Sequence, residues 1–448
     1  MFGTGEMFAL LAIMLLMVFA GVHVAVALGA GAVAGIYMMH GDINVVRTFI
    51  AGTAYEALRD YVFAVIPLFM LMGDFLAKCG AARDLFALIN RLARRLPGRL
   101  AIATVLANAV FAFVTGVSIA AAAAFSRIAY PEMKRYGYER KFALGCIAGS
   151  ACLGMLIPPS VLMIVWGVLT EQAIGKIFIA GILPGFVLVA FYCAYILGVA
   201  WLQPERVGAG VRAAGTPPDP EMTDAEFREV LISTLLVLLL VAATLGGIWL
   251  GFFTPTEGAG VGAAFALLLA MWKGMRAKAL FEVVLSVGRT SAPLLLLLFC
   301  AQLYSRVLSM TGLTNAAKEL FISSGLGPFG VLAIMVAIWF VLGCLIDSIS
   351  IILLTVPVFA PVAMALGFDP LAFAILGILA IETGLLTPPF GILVFTVKAA
   401  VPEAAVGEIF RGAIPYWIAL FCVIVVIAAF PQIATWLPGV GTAIATKG

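Results

Sequence analysis

Along the chain, long runs of apolar residues alternate with short polar punctuation. The runs are too long for strands and too continuous for the apolar stripe of a soluble helix. They fall near 7–22, 24–40, 62–78, 100–130, 142–169, 177–202, 230–252, 257–272, 284–310, 329–361, 371–397 and 413–437. At about 20 residues per crossing they leave room for roughly ten transmembrane helices. Two of them contain what a membrane helix avoids: "LGMLIPPSVLMIVW" (Leu153–Trp166) and "TGLLTPPFGILVFT" (Thr383–Thr396) each carry a proline pair. Each proline removes an N–H donor and crowds the preceding turn, and hydrocarbon holds no water to satisfy the freed carbonyls. Both runs are therefore read as helices broken at membrane depth. Between the runs lie amphipathic stretches such as Ala82–Leu100, whose basic residues border an apolar stripe and suit the cytoplasmic membrane interface.

The two proline pairs belong to a repeat. A constant shift of 230 positions carries Ser118 to Ser348, Pro131 to Pro361, Gly137 to Gly367, Gly154 to Gly384, and Pro158–Pro159 to Pro388–Pro389. The one long polar stretch, 203–229, lies between the halves, so the chain divides into a first repeat (1–202), a cytoplasmic polar loop (203–229) and a second repeat (230–448). Charge gives the relative orientation. Residues 83–99 and 132–141 carry nine Lys or Arg, whereas the shifted segments 313–329 and 362–371 carry one, Lys318. Basic flanks stay in the cytoplasm, so the repeat is expected to be inverted across the membrane. Both ends of the first run of each pair then lie on one side. This predicts re-entrant hairpins over 100–131, with a tip near Thr115–Ser118, and over 329–361, with a tip near Cys344–Ser350. The broken helices follow at 142–169 and 371–397.

Composition narrows the function. Of 448 residues, 64% are hydrophobic and 11% charged, against about 25% charged in soluble domains. With a mean hydropathy of +1.17, the chain is an all-α polytopic membrane protein embedded in a lipid bilayer. A net charge of +3 is too small to imply a nucleic-acid partner. Seven cysteines are scattered singly with no CxxC pair, and the two histidines, His23 and His40, lie far from either broken run. With no HExxH motif either, metalloenzyme and intramembrane-protease readings are disfavoured. Paired hairpins and broken helices in inverted halves suit a secondary transporter, which builds its ion and substrate sites from freed carbonyls and half-helix ends near the bilayer midplane. A passive channel fits such alternating halves less well.

"IPLFMLMGDFL" (Ile66–Leu76), "LIPPS", "FTPTEGAGVGAAFAL" (Phe253–Leu267) and "LLTPPFGILVF" resemble the large membrane subunit, DctM type, of tripartite ATP-independent periplasmic (TRAP) transporters. The resemblance covers nearly the whole chain in order. It implies an elevator-type, multi-pass transporter of the bacterial inner membrane, driven by a Na⁺ gradient and importing a small organic anion of the carboxylate class. It also implies two partners, a small four-helix membrane subunit and a soluble periplasmic substrate-binding protein. The alternative is a stand-alone Na⁺/carboxylate symporter of the related hairpin-containing type, although the Ser-Asn-Thr motif usual at its tips is absent here. The chain also departs from the TRAP pattern. The first tip reads Thr115-Gly116-Val117-Ser118 instead of approximately Ser-Gly-Ser-Ser, and His23 stands where proline is common.

The candidate Na⁺ ligands are Thr115, Gly116 and Ser118 at the first tip, with Gly149, Ser150 and Gly154 before the first proline pair. In the second half they are Gly343, Asp347, Ser348 and Ser350 at the tip, with Thr383, Gly384 and Thr387 before the second pair. Hydroxyls and carbonyls offer the oxygens a hard cation prefers, and small residues let carbonyls approach, though they also let helices pack closely. Asp347 suits either an ion site at a buried tip or the cap of the following half-helix. Glu382 reads as a protonated packing partner or a bundle-facing ion-pair member. The candidate substrate residues are Ser118, Pro158, Pro159, Ser348, Pro388, Pro389 and Arg127. An intramembrane Arg127 is able to clamp a carboxylate bidentately or to snorkel to the cytoplasmic interface.

Overall fold

The computed structural model describes residues 4–208, 223–323 and 325–445, so the centre of the polar loop, 209–222, lies outside the described residues. Among them the chain is helical apart from turns and one isolated antiparallel bridge, Tyr138 to Val207. Among the described residues seven helices are long and apolar enough to cross a membrane, and four more apolar helices are shorter: Val24–His40, Arg99–Thr115, Gly327–Gly343 and Pro370–Gly384. The shorter ones arise because several apolar runs fold as two rods. The run near 329–361 becomes Gly327–Gly343 and Ser348–Ala365, and the run near 100–130 becomes Arg99–Thr115 and Ser118–Arg135.

Both pairs are hairpins with adjoining ends. In the first, the Tyr138 hydroxyl accepts the Leu100 amide at 3.2 Å, and the Arg99 guanidinium lies 4.9 Å from the centre of the Tyr136 ring. In the second, the Phe329 and Phe368 rings meet edge-on at 6.1 Å. Gly116 turns the first tip with φ +60°, a left-handed conformation natural to glycine. Asp347 turns the second by capping Ser348–Ala365: it accepts the Ser350 amide at 3.0 Å and the Ser350 hydroxyl.

The first broken helix runs as Arg140–Ala151, the short turn Leu153–Leu156, a non-helical link containing the cis peptide Pro158–Pro159, then Val161–Thr170. The second runs as Pro370–Gly384, a link containing the cis peptide Pro388–Pro389, then Ile392–Ala400. The two are antiparallel. Arg140, which opens the first, hydrogen-bonds to the Glu403 carbonyl and pairs with Glu408 at 3.4 Å, just beyond the end of the second. At the opposite end, Trp166 packs 5.9 Å from Phe373, near the start of the second. Glu403 also reaches Lys134 at 3.4 Å; these exposed contacts hold its carboxyl below the usual glutamate range, first through a backbone hydrogen bond and then through the cations. Arg206 pairs with Glu139 at 2.6 Å on the same face, so the basic segment 132–141 gathers the ends of both halves.

Hairpins and broken helices form one packed body with Ile174–Leu202 and Val406–Ala429. Its closest crossing is Gly145 against Gly412, where an added Cβ on either would strike backbone of the other helix or its neighbour. A second group of helices, including Val24–His40, Val65–Lys78, Pro255–Trp272 and Ala277–Thr311, packs beside this body. His23 caps the first of these through its Nδ1, which accepts the Ala25 amide at 3.3 Å. The amphipathic segment forms the helix Ala81–Leu92, which buries Ala81, Ala82, Leu85, Phe86 and Leu88. Asp84 ties it to Lys273 and, at 2.6 Å, to Ser233, and Arg91 lies 3.9 Å over the Phe227 ring.

Candidate functional site

The two hairpin tips and the two breaks converge on one side chain that neither tip contributes. Glu382, two residues before Gly384, is fully buried. The Ser118 hydroxyl donates to its Oε2 at 2.7 Å, and the Ser348 hydroxyl reaches Oε1 at 3.4 Å. Ser118 and Ser348 are the repeat-related serines that open the outgoing arms of the hairpins. The Cys152 thiol donates to the Glu382 carbonyl at 3.7 Å. The same shift of 230 carries Cys152 onto Glu382, so only one half of the repeat has a carboxylate here.

Around this centre each tip is docked on the break of its own half. At the first tip the Val161 amide donates to the Gly116 carbonyl at 3.3 Å. A Cβ on Gly116 would run into the Pro159 carbonyl, and one on Gly154 would come 3.0 Å from the Ser118 Cα. At the second tip the Phe390 amide donates to the Cys344 carbonyl at 3.2 Å, and the Cys344 thiol contacts the Thr387 hydroxyl at 2.8 Å. A Cβ on Gly343 would lie 2.7 Å from the Ile381 carbonyl and 2.9 Å from the Gly384 Cα. These glycines let a hairpin arm run backbone to backbone against a broken helix.

The two sides differ in exposure. Thr115, Ser118, Pro158, Pro159 and Ser160 are buried, whereas Asp347, Pro388, Pro389 and Phe390 are exposed. The first tip also leans on the neighbouring helix group, where a Cβ on Gly73 would meet the Val114 carbonyl at 2.8 Å and the Thr115 Cα at 2.9 Å.

Not every candidate residue belongs to the centre. Asp347 is exposed at the cap instead of lying at a buried tip, and its carboxylate is engaged by Ser350. Ser350 is buried on that cap. Arg127 is exposed, about two and a half turns along the outgoing arm from Ser118, and does not point its charge into a closed site. Gly149 serves helix packing, since a Cβ there would strike the Tyr416 ring. Ser150 is held by Asn108, whose Nδ2 donates to its Oγ at 2.7 Å. Thr383 is buried and donates to the Leu379 carbonyl at 2.6 Å, leaving its lone pairs available; Thr387 donates to the Gly384 carbonyl at 2.8 Å. Three polar groups near the first break escaped the motif reading: Asn108, Cys152 and Ser160. The hydroxyl of Ser160 and the side-chain carbonyl of Asn108 are buried without a hydrogen-bond partner. Cys152 was discoverable, because the repeat shift places it opposite Glu382.

A separate crevice of about 690 Å³ opens between the two helix groups, lined by Glu56, Asp60, Glu171, Lys176 and Arg306 among others. None of the candidate residues lines it. Among the described residues no cluster of three metal-ligating side chains exists.

Apolar spanning helices, two tip-to-tip hairpins and two antiparallel broken helices define a polytopic membrane protein of the transporter class. The comparisons with known proteins give the family. The tripartite ATP-independent periplasmic transporter, DctM component, matches residues 11–433. The C4-dicarboxylate TRAP transporter large permease protein DctM of Pseudomonas aeruginosa is 33% identical over 386 residues, covering 86% of this chain and 88% of that protein. The ectoine/5-hydroxyectoine TRAP transporter large permease protein UehC of Ruegeria pomeroyi is 30% identical, covering 95% of this chain and 96% of its own. The sialic acid TRAP transporter permease protein SiaT of Haemophilus influenzae is 26% identical over 97% of this chain and 69% of that protein. Among solved structures, the Alcanivorax borkumensis YdaH transporter shares the fold with a TM-score of 0.59 over 90% of each chain, at 16% identity. The chain belongs to the DctM component family of TRAP transporters. Its relatives are transporter permeases and not enzymes, and membership implies a small membrane subunit and a periplasmic binding protein as partners.

Proposed function

We propose that this chain is the large permease subunit of a Na⁺-coupled tripartite importer of small organic anions in the bacterial inner membrane. Its hairpins are re-entrant, and the body that carries them moves as an elevator against the second helix group. The observation that carries the reading is the meeting of both tips and both breaks around Ser118, Ser348 and Glu382. The substrate sits between the tips. There the N-terminal ends of the outgoing arms, at Ser118 and Ser348, offer unpaired amides and a positive dipole end to a carboxylate. C4-dicarboxylates and sialic acid, named for relatives, both bear that group. Na⁺ would be held by the carbonyl and hydroxyl oxygens of the tips and breaks: Thr115, Gly116, Ser118 and Gly154 in the first half, Gly343, Ser348, Thr383, Gly384 and Thr387 in the second. The unsatisfied oxygens of Asn108 and Ser160 fit a region that meets a polar partner. The second tip is the exposed one, and in this reading the basic flanks of the first half put it on the outer side.

The test is uptake by proteoliposomes holding this chain, the small membrane subunit and the binding protein. Uptake should require all three and an inward Na⁺ gradient, and Thr383→Val should raise the Na⁺ concentration needed for half-maximal uptake. Full uptake by this chain alone would favour the stand-alone symporter, and uptake indifferent to Na⁺ would remove the coupling ion.

A further inference from the structure

The crevice between the two helix groups shares no residue with the tips, and its lining is chemically mixed. The body that carries the hairpins lines it with the end of Val161–Thr170, the turn 171–173 and the start of Ile174–Leu202. The second group supplies the start of Val65–Lys78, the end of Asp224–Trp249, the start of Pro255–Trp272 and late turns of Ala277–Thr311. These are the ends remote from Lys78, Lys273 and Arg276, so the positive-inside rule sets the crevice at the outer face. Tyr61 on its lining, with Phe252 and Trp436 one and two residues from it in the chain, are exposed aromatics of the kind that settle at headgroup depth. Val65, Val168, Ile179 and Ile248 give it an apolar wall.

The polar groups of the lining do not answer one another. Arg306 pairs with Glu56 and donates to the Thr53 hydroxyl at 3.2 Å. Among the described residues Asp60, Glu171 and Lys176 form no ion pair. Two neutral atoms on the lining are also left over. The Trp249 Nε1 donor and the Gln172 Oε1 acceptor are shut off from solvent, without a partner among the described residues. The turn that presents Gln172 is strained. Glu171 ends Val161–Thr170 in the left-handed conformation, φ 55°, and the Gln172 amide closes the turn on the Gly167 carbonyl at 3.1 Å. Such strain collects at binding sites.

We propose that this crevice binds an outer-leaflet phospholipid whose headgroup carries a primary ammonium. The phosphate meets Lys176 and the Trp249 N–H, and the ammonium meets Glu171, Asp60 and the Gln172 side-chain carbonyl. The set of unanswered groups selects this head over others. A purely anionic head leaves Asp60 and Glu171 unmatched, and a lone cation leaves Lys176 unmatched. A zwitterion matches both with charge-assisted bonds. A trimethylated ammonium has no N–H to give, so it leaves the Gln172 acceptor unpaired, and an unmade bond at a buried acceptor is the costly case. At about 690 Å³ the crevice is on the scale of a small-molecule pocket, so it takes the head and glycerol while the acyl chains stay in the bilayer. Because its lining comes from both helix groups, the bound head ties the hairpin-bearing body to its neighbour. It thereby favours this arrangement over one in which the body has slid. The lipid site stands on its own lining; only that consequence rests on the elevator reading.

The test is lipid retention by the purified full chain, read by native mass spectrometry after equilibration with dioleoyl phosphatidylethanolamine, phosphatidylcholine and phosphatidylglycerol. Phosphatidylethanolamine should be retained severalfold over the other two. Gln172→Leu should erase its advantage over phosphatidylcholine, and Lys176→Met and Trp249→Phe should lower retention of both. Lys176 is exposed and Gln172 half-buried, so their variants keep the test available if Trp249→Phe does not fold. Equal retention of the three lipids overturns the proposal. So does a preference that all three variants leave unchanged, which would put the lipid elsewhere. Displacement of the lipid by equimolar phosphoethanolamine, the head without its chains, would make this a site for a soluble zwitterion and overturn the lipid. In three-component proteoliposomes, phosphatidylethanolamine in place of phosphatidylcholine should slow wild-type uptake severalfold and leave Gln172→Leu unaffected. Uptake indifferent to the lipid, with selective retention intact, counts against the elevator reading and not against the lipid site.

Discussion

Cys152 and Glu382 are 230 positions apart and in contact, the thiol of one donating to the main-chain carbonyl of the other at 3.7 Å. Segments far apart in sequence therefore meet at the middle of the packed body. Ser118 and Ser348, also 230 apart, flank it on the same carboxyl group. The centre of the molecule thus holds two serines matched by the shift and, at another matched pair, a thiol facing a carboxylic residue.

The first tip should be the position least tolerant of a side chain. Gly41 and Gly116 both have positive φ, +66° and +60°, but a Cβ at Gly41 meets nothing within 4 Å while one at Gly116 strikes the Pro159 carbonyl. Gly41→Ala should cost about 1 kcal/mol, the conformational term alone. Gly116→Ala should lower the melting temperature of the purified chain further and abolish uptake. Equal melting temperatures would show that the tip does not dock on the break.

The buried tie of the interfacial helix predicts non-additive mutations. Asp84 and Lys273 are 16% and 9% exposed and joined through Ser233. Removing either charge leaves the other buried and unpaired, at a cost of about 3 kcal/mol. Lys273→Met and Asp84→Asn should each melt earlier than the double variant. Additive losses, measured by thermal unfolding in detergent, would place the pair in effective contact with water.

Asp347 separates capping from ion binding. Asp347→Ala loses the bond to the Ser350 amide and should cost about 1 kcal/mol, whereas Asp347→Asn keeps an acceptor and should melt close to wild type. Because the side chain is exposed and already engaged, Asp347→Asn should leave Na⁺ activation of uptake unchanged. A large rise in the Na⁺ requirement with normal stability would return Asp347 to the ion site.

Orientation in the membrane follows from the nine-to-one charge contrast and is open to labelling. In a cysteine-free background, Lys134→Cys, beyond the first hairpin, should react only from the cytoplasm, and Met364→Cys, at the end of the second, only from outside. Both are exposed positions. Reaction of both from one face would refute the inverted arrangement.

The sequence by itself determined the membrane class, the family, the two breaks and the two tips. Those features are local: a proline cannot donate, a run of apolar residues cannot stay in water, and a glycine or serine at a tip is written at its own position. Even the 230-residue repeat is a one-dimensional property. The sequence left Asp347 divided between cap and ligand, because both roles ask for the same carboxylate at the same place. Gly149 was equally ambiguous, since a glycine freed for an ion and one freed for the Tyr416 ring look alike. Only the tertiary structure decided these. It also put the buried carboxyl of Glu382, and not a tip residue, between Ser118 and Ser348. That arrangement depends on antiparallel helices crossing between segments 230 residues apart, and burial at such a crossing comes from contacts that no local pattern encodes.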